Sequence, residues 1–339
     1  MTTRGTSWKA IAAGIALSVV AVIILLWRIS FRDLAKALAG ANVAWLLPAL
    51  AAFVVMFGLR AWRWSLLLGG TPLTATWHAN LIGYFFNITL PLRLGEIARA
   101  YVISKNGAVT MTRALAAVLV ERLIDLGSVL LLFAWFAHLV PMRASFTRAA
   151  TIASIGVAAC VLGGALLVIR GESLERVIAP RLDPRKAELW LSRSRQIREA
   201  LRAVGSAKRV AQSLALTVLV WAATILVASF CLLAFLPQES DFTRAGLVVV
   251  MANLGGALPS APAGLGVVQG FATSALVLPF GIEESRALAF VLVWTLGQQL
   301  VLLVLGFVSI GRVGLSFREI RAAAAPLPAA RIDPAATAD

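Results

Sequence analysis

Long apolar stretches alternate with short charged ones along nearly the whole chain. Ile11–Trp27, Val43–Leu59, Ala114–Val140, Ala149–Ile169, Val210–Leu236 and Ala287–Ile310 each run as an almost unbroken hydrophobic block. Each approaches or exceeds the ~20 residues that carry a helix across a ~30 Å hydrocarbon layer. Two further apolar stretches are interrupted: Trp77–Lys105 by Pro91 and Gly95, and Ala245–Phe280 by Pro259, Pro262, Gly264 and Gly266. Proline removes a backbone donor and stops a helix, so each half of these stretches is too short to span. The pattern predicts an all-α polytopic membrane protein of about six spanning helices and two re-entrant broken-helix hairpins. A single transmembrane domain covers 1–314, and a short tail covers 315–339.

Charge sets the orientation. The connection from Arg170 to Arg209 holds eleven basic and five acidic side chains, and basic connections stay on the cytoplasmic side. Counting outward from it, Glu239, Asp241, Glu283 and Glu284 fall on the periplasmic side and Arg312, Arg318, Arg321 and Arg331 mark a cytoplasmic C-terminus. The second hairpin then enters from the periplasm. In the N-terminal half the second span ends near Arg60 and Arg63, and the first hairpin, flanked by Lys105 and Arg113, enters from the cytoplasm. Both termini lie inside. Arg4 and Lys9 ahead of Ile11–Trp27, with Ala37-Leu38-Ala39 after it, resemble a signal peptide, but Arg28, Arg32, Asp33 and Lys36 intervene. The first span is therefore expected to remain uncleaved.

Span, hairpin, span thus occurs twice in opposite orientation, and LPLRLG at 90–95 aligns with APAGLG at 261–266. Inverted repeats with interrupted helices point to a transport site near the bilayer midplane.

Composition changes the picture little. The chain is 60% hydrophobic and 14% charged with a net charge of +15, against roughly half and a quarter in soluble domains. The positive charge lies in connections and helix ends, so its partner is anionic lipid and no nucleic acid is implied. Trp190, Ile197, Leu201 and Val204 among Arg193, Arg195, Arg198 and Arg202 make 185–204 an amphipathic segment suited to the anionic cytoplasmic leaflet. Cys160 and Cys231 stand alone in separate apolar blocks, and His78 and His138 have no metal or catalytic spacing. No cofactor, metal site or catalytic constellation is expected.

The chemistry worth attention lies inside the third block. Glu121, Arg122 and Asp125 sit in Ala114–Val140, with Glu121 and Asp125 on one helix face. A charge at the bilayer centre costs about 2.5–3.5 kcal/mol on insertion scales, so these groups need partners or a watery cavity. The first hairpin offers Arg93, Glu96, Arg99 and Asn87, and the second offers Asn253 and Gln269. An internal ion network and a substrate site both answer to this pattern. Gln298 and Gln299 in the last span suit helix–helix hydrogen bonding.

Asn87 to Tyr101 (NITLPLRLGEIARAY), Glu121 to Leu126 (ERLIDL) and Pro259 to Gly270 (PSAPAGLGVVQG) together resemble three segments of the lysylphosphatidylglycerol synthase transmembrane region, a flippase-like family. The likeness runs roughly from Ile11 to Gly314. It implies a polytopic fold with re-entrant helices whose relatives move aminoacylated phosphatidylglycerol between leaflets or are linked to hopanoids and lipid-linked sugars. It marks Arg93, Glu96, Glu121, Arg122 and Asp125 as a polar core, with Gly264 and Gly266 at the second break. Gln269 stands where many relatives carry Glu. The soluble aminoacyltransferase domain of full-length synthases has no counterpart in the sequence. The expected function is an inner-membrane lipid flippase or transporter, without enzymatic activity of its own. The alternatives are a membrane-embedded enzyme and an accessory subunit for a separate lipid-modifying enzyme.

Overall fold

The computed structural model describes residues 39–89, 94–105, 109–140, 207–257 and 266–314, with scattered single positions between them. The blocks at 11–27 and 149–169, most of the basic connection with its 185–204 segment, Cys160, and the tail from 315 lie outside the described residues. So do Arg93 and Gly264.

Among the described residues every regular element is helical. The α-helices are α1 (Leu46–Leu67), α2 (Leu73–Thr89), α3 (Gly95–Lys105), α4 (Met111–Leu139), α5 (Ala207–Phe235), α6 (Phe242–Ala257), α7 (Val267–Phe280) and α8 (Glu284–Val313). Short 3-10 turns at Val43–Trp45 and Pro237–Glu239 precede α1 and α6. The stretches 43–67, 208–235 and 284–313 are long and apolar enough to cross a membrane. Helix α4 has 29 residues and equal reach, but carries Arg113, Glu121, Arg122 and Asp125. The protein is an all-α, polytopic membrane protein. Large apolar side chains cover its outside, among them Leu47 and Val55 on α1, Leu119 and Trp135 on α4, and Leu300 and Phe307 on α8. On a protein in water such a girdle would be a liability; against hydrocarbon it costs nothing.

The two halves, α1–α4 and α5–α8, pack by one scheme. Helix α1 lies on α2 as α5 lies on α6, and α3 lies on α4 as α7 lies on α8. Across the halves α2 meets α8 as α6 meets α4, while α1 and α5 form the central contact. Exchanging the halves maps these contacts onto themselves.

The hairpins open at opposite ends. At the first end, Gly69 beyond α1 sits beside the side chains of Arg113 and Arg209, at the starts of α4 and α5. Thr71 before α2, Val102 near the end of α3 and Val313 at the end of α8 line one hollow there. Helices α2 and α3 therefore begin and finish at this end. At the other end the Asn42 amide donates to the Ala234 carbonyl at 2.9 Å. Glu239 pairs with Arg286 at 3.1 Å, and Arg244 lies 4.5 Å from the Phe280 ring centroid. That last contact joins the start of α6 to the end of α7. With 17 and 11 residues, or 16 and 14, no hairpin helix reaches ~30 Å at ~1.5 Å per residue.

Small residues allow the tight crossings. A Cβ on Gly95 would stand 1.8 Å from the Gly83 carbonyl oxygen, so α2 and α3 touch backbone to backbone. A Cβ on Gly246 would stand 1.9 Å from the Phe136 ring, which fixes how α6 lies on α4.

Candidate functional site

Arg63 organises the interior. Side chains on a helix lean toward its N-terminus. Arg63 lies in the last turns of α1, so its guanidinium is drawn back into the bundle and away from the near end. It is completely buried. Nη1 donates to Asp125 Oδ1 at 2.6 Å and to Thr217 Oγ1 at 3.1 Å. Nη2 donates to Glu121 Oε1 at 2.8 Å and to Asp125 Oδ2 at 3.1 Å. Glu121 and Asp125 share one face of α4, as their spacing of four predicts, and one planar fork serves both. Asp125 is the fifteenth of the 29 residues of α4, at the helix centre.

Arg99 forms the second layer and is also buried. It pairs with Glu121 Oε2 at 2.7 Å and with Glu96 Oε2 at 2.7 Å, and donates to Asn80 Oδ1 at 2.9 Å. Its guanidinium lies 4.8 Å from the Trp64 ring centroid. A buried charge with two carboxylates, an amide oxygen and an aromatic face has little capacity left for a ligand.

The third layer opens outward. Glu96 also accepts from Arg122 Nη2, and from Asn87 Nδ2 at 3.3 Å. Arg122 reaches within 4.0 Å of Asp125 Oδ2, and its side chain is 35% exposed. On the other flank Arg60 donates to the Tyr84 hydroxyl at 3.0 Å and stands 4.0 Å from Asp125 Oδ2. Arg60, Arg63, Arg99 and Arg122 set four positive charges against the three negative charges of Glu96, Glu121 and Asp125. The described cluster therefore carries a formal net charge of +1. Its buried arginines are each paired with two carboxylates, though the Nε of both Arg63 and Arg99 has no partner, and its other two positive charges lie at Arg60 and Arg122 on the margin.

The second hairpin contributes no charge to this cluster. Gln269 is fully buried; its Oε1 accepts from the Gly266 amide at 2.8 Å and its Nε2 donates to Thr295 Oγ1 at 3.2 Å. It thereby caps α7 and ties it to α8. Thr295 is the twelfth residue of α8, as Arg122 is of α4, so each hairpin is latched to the same level of the helix that follows. Gly266 supplies the left-handed φ of 84° ahead of α7. Asn253 is exposed and donates to its own helix at the Val249 carbonyl, 2.8 Å away, outside the cluster. Gln298 likewise turns to the Trp294 carbonyl of its own helix at 3.1 Å. His78 bridges α2 to Ser309 on α8 at 3.0 Å. Among the described residues no group of three or more His, Cys, Asp or Glu could hold a metal ion.

The structure thus gathers Asn87, Glu96, Arg99, Glu121, Arg122 and Asp125, and leaves Asn253 and Gln269 elsewhere. It corrects the reading of Arg60 and Arg63 as markers of a span's end. Helix α1 continues to Leu67, and both arginines turn inward. Asn80, Tyr84 and Thr217 also belong to the cluster and carried no sequence signal of their own. For Arg63 the only signal was indirect: carboxylates on α4 need cations, but nothing in the sequence singled out Arg63 among the arginines nearby.

With this geometry in hand, the family model described as lysylphosphatidylglycerol synthase TM region matches residues 11–306. No curated protein and no solved structure matches the chain.

Proposed function

The chain belongs to the lysylphosphatidylglycerol synthase transmembrane-region family, and from that premise we propose that it moves a lipid between leaflets through the space bounded by α1, α2 and α4. A membrane protein related to lipid modification or transport is what the family establishes. Transport of a lipid bearing a phosphate is our reading of the site.

One observation carries it. A net-positive cluster in mid-helix has its core neutralised, yet presents Arg122 and Arg60 at its margin. The half-exposed fork of Arg122 suits a phosphate diester, and the less exposed Arg60, with the Tyr84 hydroxyl beside it, adds a second cation and a neutral donor. In this reading Arg63 and Arg99 hold the frame, Arg122 and Arg60 receive the phosphate, and Asn87 with Glu96 faces the rest of the headgroup. Acyl chains stay in hydrocarbon along the apolar outer faces. The two hairpins, opening at opposite ends, are the re-entrant elements of an inverted repeat and give the transport path its two sides. The transmembrane domain spans 1–314 and sits in the inner membrane with both termini cytoplasmic. By its composition the basic 185–204 segment is suited to the anionic leaflet, and a separate lipid-modifying enzyme is a partner in this reading.

The test is reconstitution of the purified chain in phosphatidylglycerol–phosphatidylcholine vesicles carrying headgroup-labelled phosphatidylglycerol or its lysyl ester. Accelerated exchange of unaltered label between leaflets is the expected result. Altered lipid would instead make the protein an enzyme, and no exchange with either label would remove the transport reading for these lipids.

A further inference from the structure

Away from the cluster, two more arginines converge with no counter-charge among the described residues. Helix α1 ends in Leu68, Gly69 and Gly70; the Gly69 amide donates to the Leu66 carbonyl at 3.1 Å and the Gly70 amide to the Ser65 carbonyl at 2.8 Å. Both glycines hold φ of 93°. The place a Cβ would take on Gly69 lies 2.5 Å from Arg113 Nη2 and 3.3 Å from Arg209 Nη1. The two guanidinium nitrogens therefore stand at most 2.5 plus 3.3 Å apart. Among the described residues neither side chain meets a carboxylate or donates to a carbonyl of α1, and Arg113 Nε is buried with no partner.

Two like charges this close repel unless an anion lies between them. The carbonyl end of α1 offsets part of the repulsion, but it leaves both forks free. Directly after the turn, Thr71, Pro72 and Ala75 begin one wall of a hollow of about 310 Å³, closed by His78, Val102 and Val313. Its size meets the lower bound of small-ligand pockets, ~300 Å³, and its lining is mostly apolar. Arg312, in the last turn of α8, immediately precedes Val313 on its rim. An apolar slot lipped by unpaired arginines fits an amphiphile whose head is anionic and whose tail is hydrocarbon.

We propose that Arg113 and Arg209 clamp the phosphate of an anionic phospholipid at the Gly69–Gly70 turn, with the first part of one acyl chain in the adjoining hollow. This site is distinct from the Arg63 cluster: Glu121 lies eight residues further along α4 than Arg113, ~12 Å at helical rise. Bound there, the lipid would join the ends of α1, α4 and α5 to the mouth of the α2–α3 hairpin.

The full chain, purified and delipidated in neutral detergent, is titrated with dioleoylphosphatidylglycerol and adducts are counted by native mass spectrometry. Dioleoylphosphatidylcholine and sn-glycerol 3-phosphate are the comparison ligands. The expected result is one tight phosphatidylglycerol adduct, weakened about tenfold or more, about 1.4 kcal/mol per tenfold, in Arg113→Gln/Arg209→Gln. Ala75→Phe, which fills the hollow, weakens it while both arginines remain. Arg286→Gln, at the opposite end of the bundle where Arg286 pairs with Glu239, leaves it in place. Equal phosphatidylglycerol binding by the double variant overturns the proposal. So does binding of glycerol 3-phosphate as tight as that of the lipid, which would leave a bare anion site, or equal binding of phosphatidylcholine. Loss of the adduct in Arg122→Gln would assign the lipid to the central cluster and overturn it too. Should the double variant not fold, Arg113→Lys keeps the charge but loses the planar fork; unchanged affinity in that folded single variant counts equally against the clamp.

Discussion

Arg63 on α1 and Asp125 on α4 meet fork to fork, with two hydrogen bonds of 2.6 and 3.1 Å, and Arg63 has no exposed surface. The pair is bidentate and charge-assisted, the strongest form of such a contact. It holds the span before the first hairpin against the span after it. A third bond, from Arg63 to Thr217 on α5, extends the hold to the second half of the molecule.

Breaking this pair from one side leaves a buried charge unmatched, at a cost of about 3–5 kcal/mol. Arg63→Met should therefore reduce abundance and lower the apparent melting temperature sharply, because Asp125 and Glu121 lose their shared cation. Asp125→Asn should cost less, since Glu121 remains to pair with Arg63 at 2.8 Å. Adding Asp125→Asn to Arg63→Met should recover part of the loss, as neutralising both partners is milder than stranding one. Thermal unfolding followed by fluorescence-detected size exclusion reads all three variants, and strict additivity of the two losses would refute the pairing.

Gly246 and Phe136 give a packing test free of charge. Gly246→Ala drives a methyl into the Phe136 ring, which would lie 1.9 Å away, and overpacking of this kind costs about 1–3 kcal/mol. Phe136→Leu on its own opens space and also destabilises. Combined, the two should restore stability relative to Gly246→Ala alone, because the smaller side chain admits the methyl. A double variant no better than Gly246→Ala would mean that α6 does not lie on α4 as described.

Much of this was legible in the sequence. Hydrophobic run length gave α1, α5 and α8, and the breaks at Pro91 and Gly266 fall between the helices of the two hairpins. The spacing of Glu121 and Asp125 placed them on one face, and both meet Arg63. What could not be read was which arginine they meet. An arginine a few residues from a span's end carries the same letter whether it snorkels outward or folds back, and the direction of the α1 axis decides between these. Arg99, close in sequence to the break, looked available to a ligand. The amide of Asn80 and the ring of Trp64, both far from it in the pattern, take up part of its guanidinium. Asn253 and Gln269 looked equivalent as polar groups of the second hairpin, yet one faces out and bonds its own helix while the other is buried and latches α7 to α8.

Orientation is checked by chemistry at the two ends. Thr112 is exposed at the start of α4, and Asp241 is exposed ahead of α6. In a background with Cys160→Ala and Cys231→Ala, single cysteines placed at 112 and 241 should react with an impermeant maleimide from opposite sides of the membrane. The cysteine at 241 should label in intact spheroplasts and the one at 112 only after lysis, as the positive-inside bias requires. Labelling of both positions in intact spheroplasts would remove the opposite openings of the hairpins.

Arg122 and Arg99 separate transport from architecture. Both pair with Glu96, but Arg99 is buried between two carboxylates while the Arg122 side chain is 35% exposed. Arg99→Gln removes the buried cation shared by Glu96 and Glu121, leaving Glu121 only Arg63 and Glu96 only the half-exposed Arg122, and should cost about 3–5 kcal/mol, lowering the yield of folded protein. Arg122→Gln removes the margin's largest exposed positive group. Glu96 keeps Arg99 at 2.7 Å, so the loss of stability should be about 1.5–3 kcal/mol, the value of a single hydrogen bond to a charged group. Lipid exchange in vesicles, normalised to folded protein, should then fall about tenfold or more in Arg122→Gln, and a Lys at the same position should recover only part of it because an ammonium lacks the planar fork. If Arg122→Gln exchanged lipid at the unmodified rate while Arg60→Gln did so as well, the phosphate would have to be held elsewhere, and the cluster would be left with the structural role alone.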